Sequence, residues 1–113
     1  MNAMHFEAFV SELGPRLAPL APKLAQALLD KSAGTVPLWG YQLLDADPEA
    51  SLKILTPILK DADLVRRERA TVGLGYMGPA AEAALPDLKS AAARATTPRE
   101  KNLLEWAIRQ IDD

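Results

Sequence analysis

The chain has 113 residues, of which 49% are hydrophobic and 25% charged, the mixture of a folding domain whose size buries roughly two thirds of its unfolded surface. Its formal net charge is -2, and Lys plus Arg stands against Asp plus Glu at 4 to 6 over residues 1–56 and 9 to 9 over 57–113. No basic arm therefore recruits nucleic acid or an anionic membrane. Cysteine is absent, which excludes disulfides, thiolate metal sites and a cysteine nucleophile; the opening MNAMHFEAFV lacks the basic and long apolar regions of a secretory signal, and no run approaches the roughly 18 apolar residues of a membrane span. A soluble, cytoplasmic protein is the expectation.

Residues 4–13 predict a first helix, with Phe6, Phe9, Val10 and Leu13 at helical spacing opposite Glu7, Ser11 and Glu12. Gly14 ends it, because glycine enters the left-handed cap conformation without a side-chain clash, and Pro15 has φ already set for the next helix. That second helix carries the stripe Leu17, Leu20, Ala21, Leu24, Ala27 and Leu28 and is expected to end near 32–34. The segment 36–44, VPLWGYQLL, suits a strand by propensity, but register decides for helix. With Leu44 aligned on Met77 and Ile111, Trp39-Gly40-Tyr41 falls on Val72-Gly73-Leu74 and on Trp106-Ala107-Ile108. Large, small, large recurs three times, and the small residue is what close helix approach requires.

Asp47-Pro48-Glu49 forms a helix start: Asp47 caps free amides, Pro48 fits the first turn, and Glu49 suits the positive end of the dipole. Leu52, Leu55, Ile58 and Leu59 follow on one face. Asp61 or Asp63 opens the next helix, with Val65, Arg66, Arg69, Ala70, Gly73, Leu74 and Met77; after Gly78-Pro79 its partner brings Ala81, Ala84, Leu85, Leu88, Ala91 and Ala92, an alanine-rich face that implies tight packing. Thr97-Pro98-Arg99-Glu100 has the form of a capping box and leads into Leu103, Leu104, Ala107, Ile108 and Ile111. This last helix has no partner after it, so it is expected to cap the stack and to be a true end.

Landmarks repeat. Gly14-Pro15, Pro22 and Leu24 recur in order as Gly78-Pro79, Pro86 and Leu88, and Pro57 with Leu59 occupies the same columns. The tetratricopeptide and ankyrin signatures are missing. Residues 65–88 instead resemble HEAT repeats of the short bacterial type, through Val65-Arg66, Ala70, Leu74-Gly75, Met77-Gly78, Ala81, Ala84, Pro86 and Leu88. Residues 13–28 and 47–60 match in part, and 97–111 matches a first helix. Two departures stand out: the first unit lacks the Val-Arg pair, and the second replaces the Gly-Pro turn with 44–48.

The resemblance implies an all-α chain, a short right-handed α-solenoid of antiparallel helix pairs: about three and a half HEAT-like repeats and seven helices in one domain over 1–113. Its units are approximately 3–33, 35–61, 63–95 and a capping helix at 97–111. First helices would lie on the convex side and second helices on the concave side. Pro22, Pro57 and Pro86 would each leave a carbonyl without its amide donor, at Ala18, Lys53 and Glu82, and bend or restart the helix at one height, which would curve the stack.

Chemical candidates are few. His5 is the only histidine, so a triad or histidine metal site has little to be built from. Asp45, Asp47, Glu49, Asp61 and Asp63 lack the spacing and central glycine of a calcium loop and are assigned to capping. Arg66, Arg67 and Arg69 form the densest basic patch; Arg66 is expected to bridge repeats through Asp61 or Asp63, leaving Arg67 and Glu68 solvated. Trp39 and Trp106 are assigned to core or edge packing, with an exposed partner anchor as the alternative. Off the apolar stripe of the second helices stand Lys23, Gln26, Lys53, Lys60, Glu82, Asp87, Ser90 and Arg94. This mixed-sign face fits a protein or peptide better than a phosphate backbone. The expected function is a non-catalytic protein-interaction scaffold without cofactor or metal. The alternatives are an inhibitor or immunity-type protein, a nucleic-acid-binding or DNA-glycosylase-like HEAT protein, and a chromophore lyase subunit or chaperone.

Overall fold

The computed structural model describes residues 18–30 and 41–112, and every regular element among them is helical. The helix expected at 4–13, His5, the Gly14-Pro15 junction and Trp39 lie outside the described residues.

The first described helix, α1, spans Leu20–Leu29 and stops at Asp30, whose backbone is extended. It ends earlier than expected from the sequence. Its buried face is Ala21, Ala25, Leu28 and Leu29, while Leu20 is 42% exposed and Ala27 also faces out. The expected stripe is thus displaced toward the small residues, because alanines at its centre let neighbouring helices approach closely. A 3-10 turn, Gln42–Ala46, brings Leu44 into the core.

Asp47 caps α2, Pro48–Leu55, by accepting from the Ala50 amide at 3.2 Å, with Pro48 in the first turn and Glu49 beside it as expected. Buried among the leucines is Ser51, which the apolar stripe did not include. Its hydroxyl donates to the Leu44 carbonyl at 3.0 Å, so this burial leaves no polar group unpaired. At Pro57 the helix tightens into the 3-10 turn Thr56–Lys60.

Asp61 and Asp63 organise the next start together. The Asp63 amide donates to Asp61 Oδ1 at 2.8 Å, and Asp63 Oδ1 accepts from the Val65 and Arg66 amides at 2.8 and 3.2 Å. The result is α3, Leu64–Met77, with Ala70, Thr71, Gly73, Leu74, Gly75 and Met77 buried. Val65, expected on the inner stripe, is 44% exposed, because its first-turn position lies beyond the buried half of the helix. Gly78 closes α3 at φ 63, where a side chain would be strained. The following Gly78–Ala84 turn is 3-10 and leaves helical geometry at Ala81; α4 then runs Leu85–Arg94 and α5 runs Pro98–Asp112.

The prolines act by restarting helices rather than by kinking their interiors. Pro22 stands in the first turn of α1 and Pro86 in that of α4, where amides have no intrahelical acceptor, and Pro57 sits at the change from α to 3-10. The expected uniform loss of one carbonyl partner per proline is therefore not the device used at Pro22 and Pro86.

Helix α5 packs against both α3 and α4, and α1 packs against α2 and α3. Among the described residues, Leu28, Leu44, Leu55, Leu74, Leu88 and Leu104 are the largest fully enclosed apolar side chains. The aligned column holds: Leu44, Met77 and Ile111 are all buried, as are Gly73 and Ala107 in the small-residue column. A Cβ on Gly73 would lie 3.1 Å from a Leu55 methyl and 3.3 Å from one of Leu28, so the missing side chain is what lets α1 and α2 close on α3.

Candidate functional site: two surfaces on either side of the core

Most of the residues expected to form a site are exposed, and Asp87 is half-buried. Lys53, Lys60 and Asp87 line a groove of about 490 Å³ whose floor includes Leu52 and Pro57. Lys60 also lines an adjoining groove of about 420 Å³, shared with Arg94, Thr96 and Asp61. The structure thus brings Lys53, Lys60, Asp87 and Arg94 onto one continuous surface between the Thr56–Lys60 turn and α4. Lys23, Gln26, Glu82 and Ser90 line neither groove.

At the base of the second groove is an ion pair that sequence reading assigned wrongly. Arg67 was expected to be solvated; instead its Nε and Nη2 donate to the two Glu100 carboxylate oxygens at 3.1 and 3.0 Å, and its Nη1 donates to the Asp61 and Ala62 carbonyls at 2.9 and 3.2 Å. The Arg67 side chain retains 22% of its exposure and that of Glu100 only 9%. The hydrogen bond that Arg67 donates to Glu100 raises its guanidinium above the usual value, against a smaller lowering by burial. Glu68 is likewise not free in solvent: its carboxylate lies 3.4 Å from Arg99. Arg66 does pair with Asp61, at 3.3 Å, as expected.

Because Glu100 is bound by Arg67, only part of the expected capping box is realised. Thr97 Oγ1 accepts from the Glu100 amide at 3.2 Å, while the Glu100 side chain serves the contact between helices. Of the carboxylates assigned to capping, Asp47 and Asp63 cap helices and Asp61 accepts from the Asp63 amide, whereas Glu49 lies 3.4 Å from Lys53 Nζ in an exposed ion pair; among the described residues no group of three His, Asp or Glu is placed to hold a metal ion. No described helix is long and apolar enough to cross a membrane.

A third groove, of about 920 Å³, runs between α3 and α5. Val65 and Val72 come from α3, Leu103 and Trp106 from α5, and Tyr41 and Leu28 close one end. Val72 and Trp106, placed in one column by the repeat, do face the same space. The Trp106 ring lies on Gly75, where a Cβ would be 2.3 Å from the indole. Tyr76 meets it edge-to-face with ring centroids 5.2 Å apart, and its own ring centroid is 4.6 Å from that of Tyr41. Burial raises the Tyr41 hydroxyl above its usual value, with the neighbouring Tyr76 adding to the rise and Arg69 opposing it. Arg69 Nη1 donates to the Leu28 carbonyl at 3.3 Å and ties the end of α1 to α3.

The Val72 and Trp106 alignment is the sequence signal for this groove, and Trp106 is half-buried against the core, in keeping with the core or edge packing assigned to it. Comparison of the chain with models of protein families, with curated proteins and with solved structures returns no match.

Proposed function

We propose that the chain is a non-catalytic interaction module, a short HEAT-like stack that binds a segment of another protein along the surface of its second helices. The observation that supports this is the convergence of Lys53, Lys60, Asp87 and Arg94 on two adjoining grooves that share Lys60. Both charge signs are present there, with Leu52 and Pro57 offering apolar contact between them. Such a surface selects a partner by complementary charge and holds it by burial. An inhibitor or immunity-type protein, docking this face on one target, is a special case of the same reading.

The test is affinity capture with the folded chain, followed by identification of bound proteins and recapture with charge-reversed variants. Lys53→Glu with Asp87→Lys should weaken the captured complex roughly tenfold. Binding that survives this change but is lost on Val65→Glu would move the site to the aromatic groove. Salt-sensitive retention on duplex DNA, with no protein captured, would replace the reading by nucleic-acid binding.

A further inference from the structure

We infer that the segment bound on the second-helix surface is acidic, with its carboxylates directed at Lys60 and Arg94; this rests on the interaction reading above and specifies its partner. The chain as a whole carries a net charge of -2, so the inference depends on how charges are paired locally.

The carboxylates around this surface are largely neutralised from within. Glu100 is held by two bonds from Arg67, and Asp61 is 3.3 Å from Arg66. Lys60 and Arg94 line the same groove, are both exposed, and make no ion pair with another described residue. Each stands in the last turn of its helical element, where the negative end of the backbone dipole holds a cation in place without neutralising it. The groove between them is therefore a basic seam on an acidic protein.

The same arrangement disfavours a nucleic-acid strand. A phosphate backbone presents negative charge at every step and would be carried past Asp87 at the other end of the seam. A polypeptide can alternate, placing acidic residues at Lys60 and Arg94, an apolar residue over Leu52 and Pro57, and a basic or neutral residue at Asp87.

Selection from a random-peptide display library against the immobilised chain tests this, followed by fluorescence anisotropy of the selected peptides and of a labelled DNA duplex. The expected outcome is enrichment of Asp and Glu, salt-sensitive binding, and affinity roughly tenfold weaker for the Lys60→Glu/Arg94→Glu variant. Selected peptides that are not acidic, yet lose binding with Lys53→Glu/Asp87→Lys, would overturn the acidic partner and leave the interaction reading standing. A selection with no peptide sensitive to either pair of reversals would overturn both. DNA binding that depends on Lys60 and Arg94, without acidic peptides, would assign the seam to phosphate. Lys53, Lys60 and Arg94 are exposed and Asp87 is half-buried, and unchanged circular dichroism and thermal midpoint of each variant would establish that lost binding is not lost folding.

Discussion

At the scale of single residues, two glycines in α3 do different work. Gly73 gives leucine side chains of α1 and α2 room against the helix, while Gly75 is the surface on which the Trp106 ring rests. The contact at Gly75 is the tighter, since a Cβ there would fall 2.3 and 2.8 Å from two carbons of the indole. The ring has Tyr76 against it and cannot move aside without losing that edge-to-face contact. Gly75→Ala is expected to lower stability by about 1–3 kcal/mol despite the higher helix propensity of alanine, measured by denaturant unfolding. A variant as stable as the parent would show that the indole is not held against the helix. Gly75 belonged to the Leu-Gly pair of the repeat, yet its partner was not legible, because a sequence marks where a side chain is small without saying which neighbour uses the space.

Between elements, the Arg67–Glu100 pair joins the first half of α3 to the first turn of α5. Its two parallel hydrogen bonds set the relative height of the helices, and the Asp61 and Ala62 carbonyls take the remaining donors. Removing one partner leaves a charge with little water to solvate it. Glu100→Ala should therefore cost about 3 kcal/mol, whereas Arg67→Met/Glu100→Leu should recover much of that loss, since an apolar pair carries no desolvation penalty. A double-mutant cycle by chemical denaturation checks this, and additive losses would refute the coupling. The sequence did not reveal this pair because its members are 33 residues apart and each had a plausible local role, Glu100 in a capping box and Arg67 on an open helix face. Helix starts were more transparent: Asp47 and Asp63 cap where expected, since a side chain reaching an amide two or three positions ahead needs no tertiary contact.

For the whole molecule, the aromatic row Tyr41–Tyr76–Trp106 links the 41–46 turn to α3 and α5, and it makes global stability sensitive to alkali. Tyr41 is held neutral in the folded chain, so its folded pKa lies above the ordinary value of 10.0. The contribution is fully present below that value and is lost as pH rises through the folded pKa, because the unfolded chain releases the proton first. Stability measured by urea unfolding should decline above pH 10, and Tyr41→Phe should reduce the steepness of that decline. An identical pH profile in the variant would place the sensitivity elsewhere.

The sequence by itself determined the helical character of the described elements, the start sites at 47–48, 63–64 and 97–98, the break at Gly78, and the columns that place Leu44, Met77 and Ile111 in the core. These depend on capping, backbone preference and periodicity, all of which act over a few neighbouring residues. Only the tertiary structure decided that Arg67 binds Glu100, that Ser51 is enclosed, that Val65 faces out, and that Trp106 rests on Gly75 beside an open groove. Likewise, it is the tertiary structure that makes four of the eight expected surface residues line two adjoining grooves. Each of these depends on the height and rotation at which one helix meets another, which is set by the summed packing of the whole chain rather than by any local stretch of it.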